Sequence, residues 1–530
     1  MSITRHRRRA VVAIATAVAA TLVFAACAPA VDAPGASTPS AEPVQGGIAT
    51  VTLNSDPGTL DMSVSSLQVT QFMGVEVFES LFALDATYTP RPMLVDAYDT
   101  SADGLTYTLT LRQGVTFHDG TALQAADVVA SLQRFLATNA IGLLIAPTVS
   151  SVSAPDSSTV VIALTAPRYG LLSELASPAA FIMPAAVVEA SGGKALSADQ
   201  LIGTGPYELT DYVPGQKVDL TRFDGYVSRA EQDWGGYAGA KHAYLDGIQY
   251  RFVSEDSTVV NGLTTGQWQV SMPSNDQYAV LSADPSLRVA PASGGVVNTV
   301  VLNHDPASAF ASIDARRALN LLLDKKALAA ASGAAGELLV DSGAFASPDN
   351  APMYSDAGED VYAEHDPEAA RRLFAQAGVD TVRMLVPNTQ PFAAWATVIQ
   401  DELSGIGIDV QLESFDTATV RATATQKPGS WDLSLTFING ALSTPSQINW
   451  LQSGYIAKYR SDRLDSLMSA YNASADADAA AAAVKEIQAF VWDEIPSIVI
   501  YGSHQYTATS TKLEGFDNFA LVLWNSWLTP

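Results

Sequence analysis

Cys27 is the only cysteine in 530 residues, and the imidazoles number six: His6, His118, His242, His304, His365 and His504. A lone thiol cannot close an internal disulfide. No two histidines stand at the spacing that puts two ligands on one helix face, and no second thiol exists, so a metal site is not expected. Nucleophilic catalysis fares no better. Ser503 and His504 are adjacent, and on a strand adjacent side chains point to opposite faces, so they do not meet as nucleophile and base. His118-Asp119 runs into Gly120, a turn in which Asp serves the backbone. No G-x-S-x-G elbow or phosphate-cradling loop occurs. Asp476-Ala477-Asp478 lacks the glycine and closing glutamate of a calcium loop. The eight tryptophans are read as core before ligand platforms. No cofactor is expected. A secreted hydrolase is the distant alternative, and a chain this poor in reacting groups reads as a binder.

The cysteine needs another use, and its neighbours supply one. Arg5, Arg7, Arg8 and Arg9 form a basic patch, followed by the 14-residue run VVAIATAVAATLVF. That run is too short to span a bilayer and suits the apolar region of an export signal. Ala25 and Ala26 then precede Cys27. A basic patch, a short apolar run and small residues ending at a cysteine resemble a bacterial lipobox, whose cysteine is lipidated and becomes the mature N-terminus. Residues 1–26 are thus read as a signal peptide and Cys27 as the lipidation site. Residues 27–45, with Pro29, Pro34, Pro39 and Pro43 among small residues, are read as a flexible tether. Arg7-Arg8-Arg9 leaves the general and twin-arginine export routes both open. The expected location is the extracytoplasmic face of a bacterial cell membrane.

The formal charge is −26. The signal carries four arginines and no acid, so the body holds 25 basic against 55 acidic residues. Such a surface repels nucleic acid and anionic lipid. The body is too long for one core and should form two or three lobes. No second long apolar stretch follows the signal, so the body is not expected to cross the membrane.

Residues 46–61, GGIATVTLNSDPGTLD, read as a strand and a turn. In GLTYTLTLRQGVTFHDGT, Leu105, Tyr107, Leu109 and Leu111 alternate with threonines, predicting a half-buried strand. Val128, Leu132, Phe135 and Leu136 follow at helical spacing. Residues 203–223 predict a hairpin closed by Pro214-Gly215 in a type II turn. Asp366-Pro367-Glu368 caps a helix that Gly378 ends. Then come the strand 382–387, a helix with Trp395, Val398, Ile399 and Leu403 on one face, a strand alternating Ile408, Val410, Leu412, and another alternating Trp431, Leu433, Leu435, Phe437. This βαβ pattern predicts parallel strands with a right-handed crossover. Ligands of open α/β sheets sit beyond the carboxyl ends of the strands. Two such ends are Asn388-Thr389-Gln390 and Asn439-Gly440-Ala441.

Several segments together carry a family resemblance. They include DPGTLD (56–61), the long stretch from FESLF to ASLQRF (78–135), GTGPYELTDYVPG (203–215), YLDGIQYRFV (244–253), IDARRALNLLLDKKAL (313–328), DPEAARRLFAQAG (366–378) and DEIPSIVIY (493–501). In this order they resemble the extracytoplasmic solute-binding proteins of family 5, the oligopeptide-, dipeptide- and nickel-binding group that serves ATP-binding-cassette importers. The resemblance implies an α/β, two-lobed periplasmic-binding-protein-like fold with an extra subdomain and a hinge. One lobe would hold 46–85, 203–290 and 498–530, with the subdomain at 86–202; the other would hold 291–497. It implies a monomer that closes on a solute and delivers it to membrane permease subunits with a cytoplasmic ATPase. Ser65 and Ser66 match its ligand-contacting position on the first lobe. A peptide or peptide-like solute is the expected ligand, with an oligosaccharide, metal chelate or other solute as the alternative. For peptides, the family meets the ligand's amino group with a carboxylate after a glycine at the strand end matching 431–438. Here Ala441 follows Gly440, and no acid lies between Asn439 and Trp450. Weak binding of unblocked short peptides is therefore expected, unless an acid such as Asp61 or Glu413 fills the gap.

Overall fold

The structure is a computed structural model that describes residues 42–65, 67–231, 234–519 and 521–530. Cys27, the signal peptide and Ser66 lie outside the described residues. Three sheets organise residues 42–530. The largest has seven strands in the order Leu287–Pro291, Tyr506–Ser510, Val270–Ser271, Ile48–Leu53, Gly247–Phe252, Lys217–Arg222, Tyr207–Val213. Ile48–Leu53 sits at its centre, parallel to both neighbours, and inserts Ala49, Val51 and Leu53 into the core. The expected hairpin is the pair Tyr207–Val213 and Lys217–Arg222. Gly215 has φ 74°, the left-handed conformation that a type II turn demands at its third residue.

A four-stranded antiparallel sheet runs Val95–Thr100, Thr106–Leu111, Thr159–Leu164, Val149–Ser153. Tyr107, Leu109 and Leu111 are its buried face, as their alternation predicts. The helix Ala125–Thr138 adds Val128, Leu132 and Phe135, and this unit shares one hydrophobic core with the seven-stranded sheet. The two are also riveted by Asp61 and Arg134, both buried, at 2.6 Å. Asp61 further accepts the amide of Leu196 and both the amide and hydroxyl of Ser63. A buried carboxylate is tolerable only with such partners.

The third sheet has six strands, in the order Leu339–Val340, Ser497–Ser503, Val296–Leu302, Leu433–Asn439, Thr381–Pro387, Asp409–Phe415. Thr381–Pro387 is parallel to both its neighbours. The helix Phe392–Gly405 crosses between two of these strands with Trp395, Ile399 and Leu403 fully buried. Trp395 Nε1 donates to the Tyr501 hydroxyl at 2.9 Å, the partner a buried indole requires. Two expectations need correction. Leu412, on the alternating strand, is exposed, because Asp409–Phe415 is the edge strand of the sheet. The strand Ser497–Ser503 pairs with Val296–Leu302, so the segment 498–503 belongs to the six-stranded sheet and not with the rest of 498–530. Its apolar run is buried almost throughout, and burial on both faces fits an interior strand.

Among the described residues no single helix is long and apolar enough to cross a membrane. His304, just past the strand Val296–Leu302, lies 2.7 Å from the Pro496 carbonyl through Nε2 and packs edge-on against Tyr459. Burial is the main cause that pushes its pKa down to about 4. The unfolded imidazole titrates near ~6.5. Between these values the unfolded chain binds a proton that the folded one refuses, so stability rises with pH across the window and is lost as pH falls. Denaturant unfolding at pH 7 and pH 4.5 should show His304→Gln losing about 2 kcal/mol less than the wild type over that interval. Parallel losses would remove His304 as the cause.

Candidate functional site

The chain passes between the two large sheets twice. Residues 292–295 link Leu287–Pro291 to Val296–Leu302, and residues 504–505 link Ser497–Ser503 to Tyr506–Ser510. The passages run side by side: Pro291 pairs with Tyr506 on one side and Val296 with Ser503 on the other. Between them, the Ala292 amide donates to the Gln505 carbonyl at 2.7 Å. Gly294 and Gly295 have φ of 81° and 50°, which favours glycine at both positions.

The turn Asn439-Gly440-Ala441 lies against this crossing. The Gly440 amide donates to the Gly295 carbonyl at 3.0 Å. A Cβ on Gly440 would strike the Gly294 carbonyl and sit 3.0 Å from Ser347 Cβ, so only glycine allows the approach. Asn439 is exposed and its Oδ1 accepts the Ala441 amide at 2.9 Å. Asn350 Nδ2 donates to the carbonyls of Gly440 and Leu442 at 3.2 and 2.8 Å, fixing the turn from below. Ala441 is half-buried and packs on the core of the first lobe.

Asn388, Thr389 and Gln390 are exposed at the end of the adjacent strand Thr381–Pro387. The Asn388 amide donates to the Phe415 carbonyl at 2.8 Å. The two predicted strand ends therefore share one edge of the six-stranded sheet. Phe437, expected to face inward, is 49% exposed. It lies two residues before Asn439, so both side chains project from one face. Its ring is parallel to that of Phe392 at 5.9 Å. Ser65 stands on the other lobe, half-buried, its hydroxyl 3.0 Å from that of Thr70.

An acid does lie close to this turn, on a different loop. Asp349 Oδ2 accepts the Gly294 amide at 3.2 Å and lies 3.7 Å from His504 Nδ1. Its side chain is 41% exposed. Ala441 meets the same glycine: its Cβ would be 3.1 Å from a Cβ added at Gly294. Tyr88, from the first lobe, brings its hydroxyl to that point too. Burial first, then the Asp349 carboxylate, raises the Tyr88 phenol well above its usual range. The two sequence candidates for this acid are elsewhere. Asp61 is buried against Arg134. Glu413 is on the edge strand, two strands from Leu433–Asn439, about 10 Å away by strand spacing. Asp349 and Tyr88 escape sequence reading because their contacts are distant along the chain.

Residues 89–458 match the family described as bacterial extracellular solute-binding proteins, family 5 (middle). The chain belongs to that family. It is similar to a probable peptide ABC transporter periplasmic-binding protein, y4tO, of Sinorhizobium fredii, with 26% identity over 490 residues covering 88% of this chain and 90% of that one. It is similar to the glutathione-binding protein GsiB of Pectobacterium atrosepticum, 27% identical over 501 residues, covering 88% and 91%. Among solved structures, the binding protein AgaA of A. tumefaciens R10 in complex with agropinic acid superposes with a TM-score of 0.77 at 23% identity, covering 91% and 99%. The two-lobed periplasmic-binding-protein fold follows from these neighbours. As a family 5 member, the chain is the extracytoplasmic solute-binding component of an ATP-binding-cassette importer and not an enzyme.

Proposed function

We propose that this family member captures a peptide or peptide-like solute between its lobes, closes by bending at residues 292–295 and 504–505, and hands the solute to its permease. Ser65, Ser66, Asn388, Thr389, Gln390, Asn439, Gly440 and Ala441 would line or shape the cleft, and Cys27 would hold the monomer to the membrane through lipid. Similarity to proteins named for peptides and glutathione supports a peptide-like ligand. The observation that carries this reading is Asp349, a half-exposed carboxylate beside the Gly440-Ala441 turn.

A ligand ammonium buried without an anionic partner costs several kcal/mol, enough to consume most of a micromolar binding energy of about −8 kcal/mol. Asp349 removes that penalty, because charge-assisted hydrogen bonds are about twice as strong as neutral ones. The exposed ring of Phe437 offers an apolar surface to a ligand side chain. A second reading, a non-peptide solute, is favoured by Ala441, by the neutral amides at 388, 390 and 439, and by a fold shared with an agropinic acid binder.

Unblocked oligopeptides should titrate calorimetrically with low-micromolar Kd, and Asp349→Asn should weaken them about 10- to 100-fold while leaving N-acetylated forms within about threefold. If no unblocked peptide binds better than about 100 μM while a sugar or chelate does, the second reading replaces the first. For the anchor, Cys27→Ser should release the protein from the membrane fraction or leave its signal uncleaved. Wild-type protein whose intact mass carries no acyl chains would exclude lipidation.

A further inference from the structure

The subdomain also touches the six-stranded lobe through Thr444 and Ser446. Arg168 grips Glu174 with both arms of its guanidinium, Nε to Oε2 and Nη2 to Oε1, each at 2.6 Å. The pair is buried, 5% and 1% exposed. Glu174 Oε1 also accepts the hydroxyls of Thr444 and Ser446, at 3.1 and 3.4 Å. The Tyr169 amide donates to the Asn472 carbonyl at 3.0 Å, and its ring meets that of Tyr471 edge-on at 5.7 Å. Gly170 makes the approach possible, since a Cβ there would overlap Thr444 Cγ2. Burial first, then Glu174, raises the Tyr471 phenol above its usual range.

We propose that these groups form a clasp that holds the lobes together before ligand arrives and ties closure to the ligand turn. The chemistry suits a reversible contact. Both members of the ion pair belong to the subdomain, so the pair survives opening. The Thr444 and Ser446 hydroxyls and the Tyr169 amide are exchanged for water, and the carboxylate is never stranded without a cation. The coupling follows from the chain itself. Thr444 stands three residues beyond Ala441, on a segment pinned by Asn350 at Gly440 and Leu442. A ligand that presses on Asn439-Gly440-Ala441 therefore bears on the clasp through a short, fixed segment. A closed state populated without ligand also raises apparent affinity, because binding no longer pays the full cost of selecting that state. The clasp rests on the proposed lobe closure.

Small-angle scattering of the ligand-free protein tests it with two unrelated variants. Thr444→Val with Ser446→Ala removes both hydroxyls and keeps most of their shape. Gly170→Ala removes no polar group and pushes Thr444 off from the other side; its φ of −77° accepts alanine. Both should shift the closed-to-open ratio about tenfold toward open, seen as a larger radius of gyration than the ligand-free wild type with thermal unfolding still cooperative. Addition of an unblocked oligopeptide that calorimetry shows to bind should return both to the compact dimension. Folded variants as compact as the wild type without ligand would overturn the clasp. Variants that extend but do not compact with the bound peptide would leave the clasp standing and defeat ligand-driven closure.

Discussion

Two backbone passages, joined by the hydrogen bond from the Ala292 amide to the Gln505 carbonyl, are all that link the sheets of the two lobes covalently. Every other relation between the lobes is a contact that can be made or broken. The crossing therefore fixes the axis about which they can move, and it fixes which residues sit nearest that axis. Gly294, Gly295 and Gly440 are packed there so closely that a side chain would collide or strain the backbone. This is the arrangement expected of hinge closure, in which a few residues absorb the change of φ and ψ while the packed cores stay rigid.

The same crossing gathers polar groups beside the proposed site. Asp349 arrives on a loop of the second lobe and Tyr88 from the first lobe, both about Gly294, and His504 on the returning passage beside Gly295 and Asp349. A solute held there would touch groups from both lobes and so would favour the closed form. A ligand shifts a conformational equilibrium only by its differential affinity for the two states, and groups contributed from both sides supply that difference. Ala441, which lacks the acid expected at its position, packs on the core of the first lobe. A small apolar residue suits that contact better than a charge would.

Much of the fold could be read locally. The alternation at Tyr107, Leu109 and Leu111 names a buried strand face because side chains alternate along any strand. Asp366 accepts the Ala369 amide, and Gly378 closes that helix at φ 71°, as capping chemistry requires. The βαβ order of 381–438 gives parallel strands, and their carboxyl ends fall where the sequence puts them. What failed was information that is not local. The run SIVIY is apolar on both faces, so its periodicity cannot say which sheet it joins. Leu412 and Phe437 have inward-looking patterns, yet an edge strand and a strand end leave them uncovered. Asp349 lies 55 residues from its partner Gly294, a pairing that no local spacing announces. The hydroxyl of Ser65 already meets that of Thr70, a local contact that the sequence pattern does not announce.

The central claim is that both lobes enclose one solute at this crossing. Amide hydrogen exchange of the free protein and of its complex with a calorimetrically verified oligopeptide tests it most directly. Slower exchange is predicted together in the segments holding Ser65 and Tyr88 on one lobe and residues 347–350 and 388–390 and the 439–444 turn on the other, with the outer helices Pro367–Ala377 and Ala477–Glu494 unchanged. Protection confined to one lobe, or found only on those outer helices, would contradict the account.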